Sequence, residues 1–468
     1  MMRSLYSGVS GLQNHQTRMD VVGNNISNVN TIGFKKGRVN FQDMISQMQS
    51  GAARPTEEIG GVNPKQVGLG VQTAVIDTIH TQGSLQTTGV TSDLAIQGNG
   101  FFIMRKGSQE FYTRAGDFGV DSEGMLVNPA NGLRVQGWQA QEINGETIIQ
   151  TAADVQDIMI PIGSKDPAKA TTDVDLACNL DKRMPEVNED SGAADVLKGT
   201  WALDKKIYDN FGEVHNMRVQ FTKVNGVNNQ WQVSVFVDAE VDAQGVPADT
   251  TNTLLSVGDG AAAGNTFTMT FDNLGSLESA VDEAGNLINA GKLQIPVTFD
   301  VAGGTPPEGE AALTQTFNLN LGEVGSYVNT VTQFAETSST KAYYQNGYSM
   351  GYLESYSIDP NGIVTGVYSN GTNRELAKIG LASFINPGGL IKQGETMFAE
   401  SINSGQANVG EANIAGKGKF VNGALEMSNV DLSSEFVDLI VTQRGFQANS
   451  KTITTSDTML DTILSLKR

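Results

Sequence analysis

Cysteine is almost missing from this sequence: Cys178 is the only one in 468 residues. No intrachain disulfide can form, so packing and hydrogen bonds must hold the fold. Histidine is nearly as scarce, and His15, His80 and His215 stand far apart. No His/Cys metal site is expected, and only carboxylates remain as ligands for a cation. Basic residues are few, 31 Lys and Arg against 51 Asp and Glu, for a net charge of -20. Phosphate contacts need clustered cations, so nucleic acid is not expected as a partner, and anionic lipid is a poor one. No apolar run approaches the ~20 residues that span a bilayer, so no membrane insertion is expected. The N-terminus lacks an apolar core followed by a small-residue cleavage site, so a cleaved secretory signal is not expected.

Catalytic patterns are missing too. There is no G-x-S-x-G, no H-E-x-x-H and no EF-hand loop. The nearest thing to a phosphate loop is Gly410–Gly418, GEANIAGKG. Its glycines are one residue too far apart, and Gly418 stands where Ser or Thr would hold magnesium, so it reads as a turn. Val421 replaces the third glycine of a dinucleotide fingerprint. No close carboxylate pair suggests an acid/base couple. The chain does not read as an enzyme, and no cofactor is expected.

What is present begins at the two ends. Leu5, Leu12, Met19 and Ile26 recur every seven residues, and so do Leu432, Leu439, Phe446, Ile453 and Leu460. A seven-residue apolar repeat is the seam of a coiled-coil-like helix. Proline is absent from 1–54 and 388–468, so neither helix meets that breaker. Asp431 and Glu435 put acid near the start of the last helix, as the macrodipole favours. The stripes are narrow against the entropy of ordering two long segments. The ends are therefore expected to pair with each other and with neighbouring copies, and to gain order on assembly. Asn24, Asn25, Asn28 and Asn30 mark the exit from the first helix.

The middle reads as β-structure. Phe101–Met104 and Phe111-Tyr112 flank a turn at Lys106-Gly107, and Gln230–Val237 alternates as a strand. Asp121–Gly124 and Asp359–Gly362 share a D-x-x-G turn between β-formers. The expected fold is mixed and mainly β, with nested β-domains and paired terminal helices. Residues 1–30 with 428–468 form the helical part. Residues 31–71 with 421–427 connect it to a β-domain of 72–145 with 330–420, and 146–329 is an inserted outer β-domain.

These residues carry a family resemblance. Ser4–Lys36, SLYSGVSGLQNHQTRMDVVGNNISNVNTIGFKK, resembles the N-terminal signature of bacterial flagellar axial proteins, and Gln443–Lys467 resembles their C-terminal one. The Asp93–Phe102 run, D-L-A-I-x-G-x-G-F-F, is shared by hook and rod proteins. Length and the inserted domain resemble the hook proteins. That resemblance implies a subunit of a curved tubular polymer that acts as a universal joint between motor and filament. It implies many copies of this chain as partners, with cap, distal rod and hook–filament junction proteins, and the flagellar type III export apparatus. The place would be the hook, periplasmic in a spirochaete and extracellular otherwise. A rod or hook-associated protein, or a secreted β-rich adhesin, is the alternative.

Cys178 has two readings. A free cysteine is usually a small buried hydrophobe. Its surroundings, with Lys165 upstream and Asn179 beside it, resemble spirochaete hook proteins, whose subunits are joined by lysinoalanine bonds. The resemblance makes Cys178 the donor, Lys165 the nucleophile and Asn179 the supporting amide. Lys169 and Lys182 are rivals that spacing does not exclude. Such chemistry would be helped by surroundings that favour the thiolate.

Overall fold

The computed structural model describes residues 2–466 apart from 53, 56–59, 144–145, 188–195, 197, 228, 239–255, 258–264, 283–286, 288–291 and 302–313. It is mainly β, with the N- and C-terminal helices in contact. The chain forms two compact units. The first comprises 1–162, 354–367 and 373–468, and the second 163–353 with 368–372.

In the first unit, helix α1 spans Met2–Ser27 and helix α2 spans Leu432–Leu466. Asp431 caps α2: its Oδ1 accepts from Ser433 N–H at 2.9 Å, and its carbonyl accepts from Glu435 N–H at 3.0 Å. Asn24 and Asn25 lie inside α1, not beyond it. Asn25 is buried and exchanges two hydrogen bonds with the Gly37 backbone, at 2.8 and 2.9 Å. That pairing fixes where the chain leaves the helix. The ribbon Gly37–Asp43 with Val71–Thr78 then runs beside α1, and Asn14 is bonded to Val71 and Thr73. Further on, Leu85–Thr87 and Leu94–Gln97 pair with Ala424–Glu426 and Lys419–Asn422, so both arms of the chain build one module. Its aromatic core holds Phe101, Tyr112, Phe384 and Phe398.

The second unit is a sandwich. One sheet is wholly antiparallel: Thr200–Tyr208, Val214–Lys223, Gln230–Val237, Thr266–Phe271 and Leu277–Asp282, in that order. The other is centred on Asp173–Asp181, which pairs in parallel with Thr314–Glu323 and Thr332–Phe334, and antiparallel with Ser339–Gln345. Alternate residues face inward, as a two-residue period requires. Trp231, Val233 and Val235 from one sheet thus share a core with Leu176, Cys178 and Leu180 from the other.

The boundary between units follows strand pairing. Residues 146–149 and 156–157 pair with Arg134–Ile143 and stay in the first unit. Residues 332–334 and 339–345 pair with Asp173–Asp181 and belong to the second. The second unit therefore comprises 163–353 with 368–372, where the pattern of strands and turns suggested an insertion of 146–329.

Among the described residues, the D-x-x-G turn forms at Asp121, Asp209, Asp272 and Asp359. In each, Oδ1 accepts two backbone N–H groups, from residues two and four ahead, at 2.7–3.0 Å. The glycine has φ between 83° and 87°, the left-handed region. Asp359→Ala removes both bonds and is expected to cost about 1–3 kcal/mol, read from the shift in urea midpoint.

Candidate functional site

Two features follow from the expected assembly and bonding residues: the terminal helix pair, and the strand that carries Cys178. The helices run antiparallel. Ser4 meets Ser456 at 3.4 Å, Arg18 pairs with Asp438 at 2.9 Å, and Asn25 donates to Glu435 at 3.1 Å. Close approach depends on glycine. A Cβ on Gly11 would lie 2.7 Å from Asn449 Nδ2, and one on Gly8 would lie 3.1 Å from Ile453. The contact within the chain thus runs through glycines and polar side chains, joined by Ile453 of the apolar stripe. The apolar stripe flanks it: Leu5, Leu12, Met19, Ile26, Leu439, Phe446, Ile453 and Leu460 are half-buried, and Leu432 is exposed. Phe436, Val437, Ile440 and Val441 form a further exposed apolar face on α2.

Behind the helices sits an ion cluster with no local sequence signal. Glu426 is fully buried and binds Lys35 Nζ at 2.6 Å and Arg114 at 3.2 Å. Its Oε1 also accepts from Gly83 N–H at 2.8 Å. Burial pulls the Lys35 ammonium and the Arg114 guanidinium below their usual ranges, and the Glu426 carboxylate opposes this. Lys35 follows α1 and Glu426 precedes α2, so the cluster fastens both helix roots to the β-module. Two cations face one carboxylate. His80 lies close by, against Phe101 and Phe398, with both ring nitrogens buried. A polar cavity of about 300 Å³ opens between His80, Asn99, Arg114 and Ser383.

Cys178 is fully buried in the sandwich core. Burial pushes its thiol well above the usual range, so the surroundings disfavour the thiolate, contrary to the expectation from the chemistry. The reason is the strand's place: edges paired on both sides, and the thiol turned inward among Leu176, Leu180 and aromatic rings. A cavity of about 270 Å³ lies along the same strand, but Asp175, Leu176 and Ala177 line it and Cys178 does not. A bulge between Ala177 and Cys178 breaks the register with Ser339–Gln345. Asn179 is buried and clamps a neighbour: Oδ1 accepts from Phe334 N–H at 3.1 Å, and Nδ2 donates to the Glu336 carbonyl at 3.2 Å.

Lys165 is exposed, as are Lys169 and Lys182. Lys165 pairs with Tyr352, Lys169 bridges to Tyr348, Val174 faces Gln345 and Cys178 faces Thr340. Residues 165–181 and 339–352 thus run side by side as one antiparallel ribbon. Lys165 and Cys178 lie roughly thirteen positions apart along it, on the order of 40 Å of extended backbone. The fold does not bring them together within one chain.

Known proteins agree with this layout. Residues 5–35 match a family described as flagella basal body rod protein, and 421–466 the flagellar basal body rod FlgEFG protein C-terminal family. Residues 95–166 match the flagellar hook protein FlgE/F/G D1 domain, and 179–348 the flagellar basal body protein FlaE D2 domain. The flagellar hook protein FlgE of Treponema pallidum is 56% identical over the whole of both chains. That of Borreliella burgdorferi is 55% identical over the same span, and that of Salmonella typhimurium 35% over 99% of this chain and all of the relative. The crystal structure of Helicobacter pylori flagellar hook protein FlgE2 shares the fold, with a TM-score of 0.50 and 16% identity, covering 73% of this chain and 100% of that one. With its helical ends, its β-units and this identity along its full length, the chain belongs to the flagellar hook protein family and is similar to its spirochaete members.

Proposed function

We propose that this hook subunit builds a curved tube acting as a universal joint, and that copies in the tube become joined by lysinoalanine bonds from Lys165 to Cys178. The observation that supports a bond between copies is the ribbon, along which the two residues of one chain stand well apart. In the first step Cys178 loses its Cα proton and the Cβ–Sγ bond breaks, releasing hydrosulfide and leaving dehydroalanine. The neutral Lys165 amine of another copy then adds to Cβ, and a proton returns to Cα. The sum is one thiol and one amine giving a secondary amine and hydrogen sulfide, with no oxidant needed. Because Cys178 is sealed, the reaction requires the Ser339–Gln345 edge to part from its neighbour, and the bulge at Ala177/Cys178 is the weak point of that edge.

The terminal helices would supply the inner tube. Their half-buried stripe and the exposed Phe436–Val441 face support packing on further copies. Outer β-units with polar, turn-rich surfaces would slide as the joint turns. Cap, distal rod and hook–filament junction proteins would adjoin the tube, and the flagellar type III apparatus would export the subunit. In a spirochaete the whole would be periplasmic.

The test uses hooks isolated from cells. Cys178→Ala is expected to leave tubes that assemble and fall to monomers in hot detergent, where wild-type tubes persist. Peptide mass mapping is expected to find Lys165 joined at position 178. Full crosslinking in Lys165→Ala hooks, with Lys169 or Lys182 in the mapped peptide, would overturn the lysine assignment.

A further inference from the structure

The polar cavity of about 300 Å³ beside the Lys35–Glu426–Arg114 cluster lies wholly within the first unit. Arg114 forms part of its wall, and its side chain is only 4% exposed. Nη1 donates to Glu426 Oε2 at 3.2 Å and to the Ile96 carbonyl at 3.5 Å, and Nη2 donates to the Gly98 carbonyl at 2.8 Å. The Nε–H is buried as well, and among the described residues no acceptor reaches it. A buried charged donor without an acceptor is costly, so its presence on a cavity wall calls for a ligand. Neutral donors share that wall. Asn99 is exposed there, and Ser383 Oγ makes only a long contact, 3.4 Å to the Asn408 carbonyl.

The charge around the cavity is one-sided. His80 stands on the same wall, with Lys35, Arg114 and Lys392 as neighbouring cations. Burial first, and then these cations, hold its pKa down to about 4, against an opposing hydrogen bond to the Pro387 carbonyl. Lys417, which follows Gly416 of the wall, is a further buried cation, its Nζ donating to Asn408 Oδ1 at 3.3 Å. The carboxylates of the packed elements are already engaged. Glu426 is shared by Lys35 and Arg114. Glu400 accepts from Tyr112 Oη at 2.8 Å and from Ala407 N–H at 2.9 Å, and Glu110 accepts from Tyr112 Oη at 3.1 Å. Glu395 stands exposed at the turn beyond Lys392.

We propose that this cavity binds a small tetrahedral oxyanion of the sulfate or phosphate type, held by Arg114 Nε and the Ser383 and Asn99 side chains in the field of Lys35 and Lys392. Donors arriving from separate strands suit an ion with several acceptor oxygens, and the flat guanidinium fork suits an oxyanion above a halide. Such an ion supplies the counter-charge that two cations sharing one carboxylate lack. His80 faces the same ion. A bound anion therefore raises the His80 pKa, and a proton taken up by His80 tightens the anion, by the same factor. The site belongs to the single folded chain, so it depends neither on assembly nor on the proposed bond.

The probe is sulfate, whose charge is constant from neutral to mildly acid solution, against sodium chloride at equal ionic strength. The full chain is studied before assembly. His80 is followed through its Cε1–H nuclear magnetic resonance signal, assigned with His80→Gln. In the wild type, sulfate is expected to shift that signal saturably, and its acid titration is expected to begin about one pH unit higher than in chloride. Asn99→Asp and Ser383→Asp each place a carboxylate on the wall and leave Glu426 untouched. Each is expected to weaken sulfate on the order of tenfold or more through like-charge repulsion. Urea midpoints in chloride show that each variant is folded, and either one suffices for the comparison. A His80 signal that answers sulfate and chloride alike would overturn the site. So would a sulfate response of wild-type strength in a folded Asp variant.

Discussion

Glu426→Ala is expected to cost about 3–5 kcal/mol, among the largest losses any single substitution in this chain would bring. The carboxylate is fully buried and is the counter-charge for two cations, Lys35 and Arg114, whose side chains are 0% and 4% exposed. Removing it leaves both cations in a low-dielectric site, facing each other. Burial already lowers both below their ordinary ranges, and the favourable attraction to Glu426 disappears with the side chain. Gly83 N–H loses its acceptor as well. Glu426→Gln keeps the shape and the amide oxygen, and is expected to recover only the part due to Gly83. Lys35→Met is expected to cost less than Glu426→Ala, because it leaves Arg114 and Glu426 as a neutral pair. Denaturant unfolding of the full chain gives the ranking. Amide exchange adds a local reading: α1 and α2 are expected to lose protection first, since the cluster joins their roots to the β-module. A loss under about 1 kcal/mol for Glu426→Ala would show that the pair contributes no more than a surface bridge.

Acid is expected to weaken the same region through His80. Burial lowers its pKa from 6.5 to about 4, and Lys35, Arg114 and Lys392 add repulsion, while the Pro387 carbonyl opposes the shift. Glu426 is the one carboxylate in the cluster, and it is already shared by two cations. The folded state thus binds the proton more weakly than the unfolded chain. Stability from this group is whole above pH 6.5, falls as pH drops from 6.5 to about 4, and changes no further below that. The full loss is roughly 3.5 kcal/mol, from 2.5 pH units at about 1.4 kcal/mol each. Carboxylates elsewhere titrate in part of this window, so the informative quantity is the difference from His80→Gln. Wild-type protein is expected to lose more stability than His80→Gln between pH 6.5 and 4, with parallel curves above pH 7. Parallel curves throughout would mean that His80 is as easily protonated in the fold as in the open chain.

These two predictions rest on residues that no local pattern exposes. Lys35 and Glu426 are 391 positions apart, and Arg114 and Glu426 are 312 apart. A lysine after a helix and a glutamate before another read as ordinary surface charges. By contrast, Gln230–Val237 was legible to the residue, because alternation and β-branching are written along the chain itself. The D-x-x-G turn was legible at Asp121 and Asp359 from its flanking β-formers. The same Asp and Gly spacing at Asp209 and Asp272 forms the same turn, and both could have been found by extending that pattern.

The terminal helices show the division most clearly. Heptad spacing and the lack of proline sufficed to place both, since period and breakers are local properties. Which face meets which was a question of close approach. Gly8 and Gly11 permit that approach, since a side chain there would press on Ile453 or Asn449. Asn25 looked like a loop residue and is a buried helical one, because only the returning Gly37 backbone supplies its partners.

The sequence alone determined a β-rich subunit with helical ends, no enzyme motif and the signatures of a flagellar family. Such properties depend on neighbours within a few residues. Tertiary structure decided that Cys178 is sealed in a core, that Lys165 lies at the far end of its ribbon, and that one glutamate fastens both helix roots. Burial and charge pairing are set by distances through space, and a chain carries no record of those until it folds.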